Sequence, residues 1–252
     1  MPRANRYFLP NQIWHITHRC HQKDFLLKFS KDRKHWLHWL CEAKKRYGLC
    51  ILNYTVTSNH IHLLVKDTDK GVISKSMQLI AGRSAQHYNQ RKNRKGAYWE
   101  DRYHATAIEC DKHLHRCITY IDLNMVRAGV VNHPKNWPQG GYIEIQNPPS
   151  RYAIINLRML AQLCGFESIE SLQDAHRQWV ETALKDNTKQ HESFWSHSVA
   201  VGSESFIEKI QSELAVLASG RSCKPEGEHF TLKEPDAAYD VTFGPKKTIL
   251  SS

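Results

Sequence analysis

The sequence predicts an α+β fold: a ferredoxin-like split βαβ core, with an antiparallel four-stranded sheet and helices on one face, followed by a helical C-terminal region. Two observations predict it. Stretches of alternating apolar and polar residues and stretches of helical spacing succeed one another in the order β-α-β-β-α-β-α. Turn and stop residues, Gly48, Ser58-Asn59 and Gly129, fall at the joints between them. With 252 residues, 40% hydrophobic and 24% charged, the chain is long enough for one large domain or a domain with an appendage.

Residues 13–20, IWHITHRC, alternate and read as the first strand. Residues 31–47 place Trp36, Leu37, Leu40, Ala43 and Tyr47 at helical spacing, and Gly48 stops that helix. CILNYTVT at 50–57 and HIHLLVK at 60–66 form a hairpin around Ser58-Asn59. Residues 72–90, with Ile73, Met77, Ile80 and Ala81, form the second helix, and a basic loop from Arg91 to Gly96 follows. HATAIEC at 104–110 is the fourth strand. Asp111 then caps a helix running to about Ala128, with Gly129 at its end.

Pro, Gly and Asn concentrate in HPKNWPQGG and QNPPS, between residues 133 and 150. They divide the chain into residues 1–145, a mostly helical region at 146–220, and an extended or disordered tail at 221–252. In the helical region, apolar spacing around Ile154, Leu157 and Leu160, from Ile169 to Leu184, and from Phe206 to Leu217 marks the helices.

The net charge of +10 points to a polyanionic partner, with nucleic acid first and an anionic membrane surface second. No run of 18 apolar residues and no apolar N-terminal segment occur, so the expected location is the cytoplasm. Seven cysteines without a C-x-x-C pair fit free thiols better than a disulfide framework or a cysteine zinc site. No phosphate-binding loop, dinucleotide fingerprint or nucleophile elbow is present, so no nucleotide cofactor or serine hydrolase is expected.

Three groups of residues could carry chemistry. His60 and His62 flank Ile61 on a strand. Side chains alternate there, so both imidazoles share a face and can chelate one divalent ion, although most such pairs are surface or partly satisfied histidines. His113 and His115 have the same spacing on a helix, where they diverge by about 200° and cannot grip one ion. Tyr120 and Asn124 lie at i, i+4 of that helix and share a face. Tyr120 could act as a covalent nucleophile and Asn124 could add an oxygen ligand; the alternative is that Tyr120 packs beside Ile121 and Asn124 caps a turn. Arg83, Arg91, Lys92, Arg94, Lys95, Trp99 and Arg102 form a basic and aromatic stretch suited to phosphates and unpaired bases, or to a solvated loop beside core aromatics.

The segments IWHITHRCHQKDFLL, NYTVTSNHIHLLV, YWEDRYHAT, YIDLNMVRAGVV and GSESFIEKI resemble the single-tyrosine HUH transposases of the insertion-sequence-200-like family, and within it the REP-associated tyrosine transposases. The resemblance covers about residues 5–145. It implies that His60 and His62 are metal ligands, that Tyr120 is the nucleophile, and that Asn124 can supply a third ligand. It also implies Mg²⁺ or Mn²⁺ as the metal. The implied activity is cleavage of single-stranded DNA near hairpins through a 5′-phosphotyrosine bond, followed by rejoining. Two places depart from the family pattern: Asn124-Met125 stands where Asn-Pro is usual, and Pro138-Gln139-Gly140-Gly141-Tyr142 where a Pro-Trp-Ser-Ser-Tyr-like segment is usual.

The expected function is therefore a metal-dependent transposase and strand transferase acting on single-stranded or hairpin DNA, with Arg127 among the DNA-binding residues. The chain would work as a monomer or homodimer, Tyr120 serving its own or a partner's metal site. A hairpin DNA- or RNA-binding regulator without catalysis is the alternative, and a basic metal-binding scaffold is a third reading.

Overall fold

The computed structural model describes residues 8–110, 112–186, 192–214, 221–227 and 229–233. Asp111, the expected helix cap, Leu217, and the tail beyond residue 233 lie outside the described residues. Seven strands form one sheet: β1 (Ile13–Arg19), β2 (Cys50–Val56), β3 (His60–Lys66), β4 (His104–Ile108), β5 (Ser198–Gly202), β6 (Ser222–Glu226) and β7 (His229–Lys233), in the order β2-β3-β1-β4-β5-β7-β6. β1 to β4 pair antiparallel, the four-stranded core that the alternation predicts.

The two crossover helices are α1 (Ser30–Tyr47) and α2 (Val72–Arg91), which pack on one another. They cover the sheet face that carries His18. Trp99 stacks on His18 at 4.0 Å and donates its indole N–H to the Ala81 carbonyl of α2 at 3.1 Å. The opposite face carries His15, Thr17, His62 and Thr106 in neighbouring register. It receives α3 (Lys112–Asp122), so helices cover both faces rather than one.

The helix expected from Asp111 to about Ala128 is broken. Leu123 adopts φ −78° and ψ 2°, and α4 (Asn124–Arg127) starts beyond it. Within the Pro/Gly/Asn-rich boundary a short helix forms, α5 (Gly141–Gln146). The segment before it seals the outer edge of β2: the Val56 amide donates to the Gln139 carbonyl at 2.9 Å, and the Trp137 indole donates to the Val56 carbonyl at 3.1 Å. An open edge invites pairing with another chain, and this cover removes it. Gly141 must be glycine, since a Cβ there would stand 2.1 Å from Asn53 Oδ1.

The C-terminal region contains the expected helices α6 (Leu157–Leu163) and α7 (Ile169–Lys185), then α8 (Phe194–His197) and α9 (Glu204–Leu214). It also contains three strands that the sequence reading does not foresee. β5, SVAVG, is buried along its whole length and pairs parallel with β4. A short apolar run buried on both faces shows no alternation, so its period does not distinguish strand from helix. β6 and β7 form a hairpin where an extended tail is expected; polar, exposed β6 gains its order from pairing with β7. One hydrophobic cluster runs from Leu9 to Leu232, so the C-terminal segment shares its core with the first 145 residues. Among the described residues no helix is long and apolar enough to cross a membrane.

Candidate active site

Strand alternation brings His60 and His62 to one face of β3, with Ile61 fully buried on the other. Their rings lean together, 4.9 Å between centroids and nearly perpendicular at 82°. The surrounding hydrogen bonds fix both tautomers. Asn59 donates its amide N–H to the Lys23 carbonyl at 3.1 Å, so its Oδ1 accepts from His60 Nδ1 at 2.8 Å. His15 donates from Nδ1 to the Trp195 carbonyl at 2.8 Å. Its Nε2 therefore accepts from His62 Nδ1 at 2.9 Å. His15 stays neutral in this relay because burial holds its pKa down at about 3. In both His60 and His62 the Nε2 atom is thus the lone-pair nitrogen, the form that binds metals.

The break at Leu123 sets the other half of the site. Tyr120, on the last turn of α3, places its ring 5.8 Å from that of His62 and 6.1 Å from that of His15. Asn124, first in α4, sets its Nδ2 2.9 Å from His62 Nε2. His62 therefore touches both residues of the predicted i, i+4 pair. The Arg127 guanidinium sits over the Tyr120 ring, 4.1 Å from its centroid, and donates to the Tyr120 carbonyl at 2.6 Å. Tyr120 is only 4% exposed. Burial pushes its phenol above the ordinary value, while Arg127 and a hydrogen bond with Ser196 pull the other way.

Two cavities meet here. One, of about 610 Å³, is lined by His60, His62, Asn124, Arg19, Arg102 and Arg127, among others. The second, of about 810 Å³, lies between α3 and α7, and Tyr120 is among the residues that line it. Arg127 lines both.

Of the basic stretch, only Arg102 reaches the histidine cavity directly. Arg91 forms an ion pair with buried Asp32 that ties α2 to α1. Arg94 folds its own loop, donating to the Ala97 carbonyl at 2.9 Å. Arg83 lies over Trp39 and Lys92 over Phe29, against α1 and the segment leading into it, while Lys95 is exposed. Trp99 is half-buried and stacked on His18, so it is not a free platform for bases. Sequence reasoning missed Arg19 and His15. Both are legible in the alternation of β1, which sets His15 and Thr17 on one face; the strand register, absent from local pattern, puts Thr17 opposite His62 and Arg19 opposite His60.

A buried polar set anchors α3 from behind. Asp122 accepts from Asn53 Nδ2 at 3.1 Å and from His176 Nε2 of α7 at 2.7 Å. Arg177 donates to Gln146 Oε1 at 3.0 Å, which orients that amide so that its Nε2 donates to His176 Nδ1 at 2.9 Å. The His176 ring therefore donates to the Asp122 carboxylate, and both side chains are shielded from water.

The donor set fits a divalent cation. Adjacent ligands of an octahedral ion with bonds of about 2.1 Å stand roughly 3 Å apart. That matches the 2.9 Å between His62 Nε2 and the Asn124 amide, whose carbonyl oxygen would replace the nitrogen on a half-turn. Among the described residues no cluster of three or more His, Cys, Asp or Glu is placed to hold an ion.

Residues 9–124 match the family model for IS200-like transposases. No curated protein matches the chain. A solved structure of a REP-associated tyrosine transposase bound to a REP hairpin is 20% identical, with a TM-score of 0.48 over 56% of this chain and 82% of that one. A structure from Deinococcus radiodurans R1, described as a transposase, is 16% identical, with a TM-score of 0.34 over 42% of this chain and 86% of that one. His60, His62, Tyr120 and Asn124 all fall inside the matched residues. Over residues 9–124 the chain is therefore similar to transposases of the IS200-like family.

Proposed function

We propose that this chain is a transposase that cuts and rejoins single-stranded DNA at hairpin-bearing sequences through a covalent bond to Tyr120. The observation that carries this reading is the position of His62, which touches the Tyr120 ring and the Asn124 amide at the edge of one cavity. Tyr120 Oη attacks a phosphodiester phosphorus. The Tyr–O–P bond forms to the 5′-phosphate, the P–O3′ bond breaks, and the 3′-oxygen leaves as a hydroxyl once protonated. Attack by a 3′-hydroxyl on the phosphotyrosine reverses the step and joins strands without ATP.

Each residue has a defined task. Arg127 lies over the phenol and lowers the cost of its ionisation. Arg19 and Arg102, on the cavity wall, attract the phosphate backbone. His15 holds His62 in its metal-binding tautomer. Mg²⁺ or Mn²⁺, held by His60, His62 and Asn124, would supply Lewis-acid neutralisation of phosphate charge. The chain acts as a monomer or homodimer in the cytoplasm, with Tyr120 serving either subunit.

The test is a labelled hairpin oligonucleotide incubated with Mg²⁺ or Mn²⁺. Wild type forms a covalent adduct and Tyr120→Phe forms none. Equal adduct from the variant, or none from wild type, overturns the reading. The enclosure of Tyr120 favours one rival, a hairpin-binding regulator that does not cut. Hairpin affinity that survives metal removal and His60→Ala, with no adduct, would establish it.

A further inference from the structure

Two residues lining the histidine cavity, Ser196 and His197, come from α8, outside the residues that match the family model. The segment that carries them is docked on the sheet face of the site. The Trp195 carbonyl accepts from His15 Nδ1 at 2.8 Å. The Ser198 carbonyl accepts from Thr106 Oγ1 at 2.7 Å and from His104 Nε2 at 2.9 Å. Phe194 and Trp195 are buried, and Ser198 opens the buried strand β5. The backbone on either side of His197 is thus held by side chains of β1 and β4.

His197 itself is exposed. Its Nδ1–H donates to the Ser193 carbonyl at 2.9 Å, so Nε2 carries the lone pair in the neutral ring. Among the described residues nothing bonds that Nε2. The other imidazoles of the wall are committed. His60 and His62 turn Nε2 toward the cation site, and His18 and His104 donate Nε2–H to the Asp101 and Ser198 carbonyls. The charged side chains of the wall are Arg19, Arg102 and Arg127 against Glu100 and Asp101, a balance that favours a phosphate.

Strand cleavage at this site needs one further proton transfer. An alkoxide leaves poorly at neutral pH, so the 3′-oxygen needs a proton as its bond to phosphorus breaks. Imidazole gives and takes protons near neutrality, and a ring fixed at Nδ1 by a carbonyl presents Nε2 in one orientation. The phenol already has Arg127 and Ser196 to ease its ionisation, and Ser196 is the chain neighbour of His197. We propose that His197 carries the proton of the 3′-oxygen, as acid in cleavage and as base in rejoining. In cleavage the phenol proton passes to water, the Tyr–O–P bond forms, the P–O3′ bond breaks, and Nε2–H of the imidazolium protonates the 3′-oxygen. In rejoining, neutral Nε2 takes the proton of the attacking 3′-hydroxyl, the new O–P bond forms, and the Tyr120 oxygen leaves and regains a proton from water. The proposal rests on the reading that the chain cuts single-stranded DNA through Tyr120.

The test uses the full chain with Mn²⁺ and a hairpin oligonucleotide whose cleaved phosphate has been mapped with wild type. A second oligonucleotide replaces the 3′-oxygen at that phosphate by sulfur. A thiol is far more acidic than an alcohol, so sulfur leaves without a proton. In single-turnover adduct formation, His197→Ala should be about a hundredfold slower than wild type on the oxygen substrate, the loss expected of a general acid. On the sulfur substrate it should run at close to the wild-type rate, which also shows that the variant's site is intact. Rejoining of a 3′-hydroxyl strand to the isolated adduct should slow by a similar factor. An unchanged rate on the oxygen substrate overturns the proposal. A loss of equal size on both substrates overturns it too, assigning His197 to the phenol or to the fold. In both of those cases wild-type adduct leaves the cutting reading standing. Absence of wild-type adduct from both substrates refutes the cutting reading, and the proposal falls with it.

Discussion

His60-Ile61-His62 and His113-Leu114-His115 have the same spacing and opposite fates. On β3 the two rings turn to one side, 4.9 Å apart, and border a shared cavity. On α3 they part. His113 is buried against Glu109 at 3.1 Å and against His229, whereas His115 lies on Trp179 across the helix. Two residues along a strand return to the same face, and two along a helix travel more than half a turn. The helical pair serves the fold instead, with each histidine fixing a different neighbour.

This contrast can be broken or sharpened by substitution. The largest expected effect is at the strand pair. His62→Ala should cut adduct formation by roughly a thousandfold, as loss of a group that stabilises transition-state charge does, with the thermal unfolding midpoint little changed. Unchanged adduct yield would make the strand pair as structural as the helical one. His176→Ala comes next, because it leaves the buried Asp122 carboxylate with Asn53 as its remaining side-chain partner. Losing one partner of a buried pair costs about 3 kcal/mol, a hundredfold in the folding equilibrium, measured by urea unfolding. A shift below about 1 kcal/mol would show that α7 does not anchor α3.

His15→Phe tests the relay to His62. The ring keeps its packing against Tyr120 but loses the acceptor for His62 Nδ1. Removal of such a supporting group weakens metal affinity or activity by about 10–100-fold, which a Mn²⁺ titration of adduct yield would read. Equal Mn²⁺ dependence in the variant and wild type would remove His15 from the site. The smallest effect belongs to the helical pair. His115→Ala forfeits one stacked contact with Trp179, worth about 1 kcal/mol in urea unfolding. If that variant instead abolished adduct formation while remaining folded, the helical pair would have a catalytic part after all.

Much of the domain is legible locally. The first four strands and both crossover helices follow from period and stop residues, and α1 ends at Gly48 with φ 71°, a conformation glycine adopts freely. The C-terminal strands are not legible, because β5 is buried on both faces and β6 is a polar edge whose order comes from its partner. The basic stretch misleads for a related reason. Charge says nothing of direction, and Arg91 and Arg94 turn inward to Asp32 and to the loop carbonyls, whereas Arg19, read only as the end of a strand, faces the cavity.

The sequence by itself determined the residue types and the local geometry: two imidazoles on one strand face, and a tyrosine four residues before an asparagine. These follow from chain periods that every strand and helix obeys. Only the tertiary structure decided that His15 aligns His62, that the break at Leu123 sets Arg127 over Tyr120, and that α7 walls a second cavity beside the phenol. Each of these joins residues far apart in the chain, and such contacts depend on register and packing between elements, which no local pattern encodes.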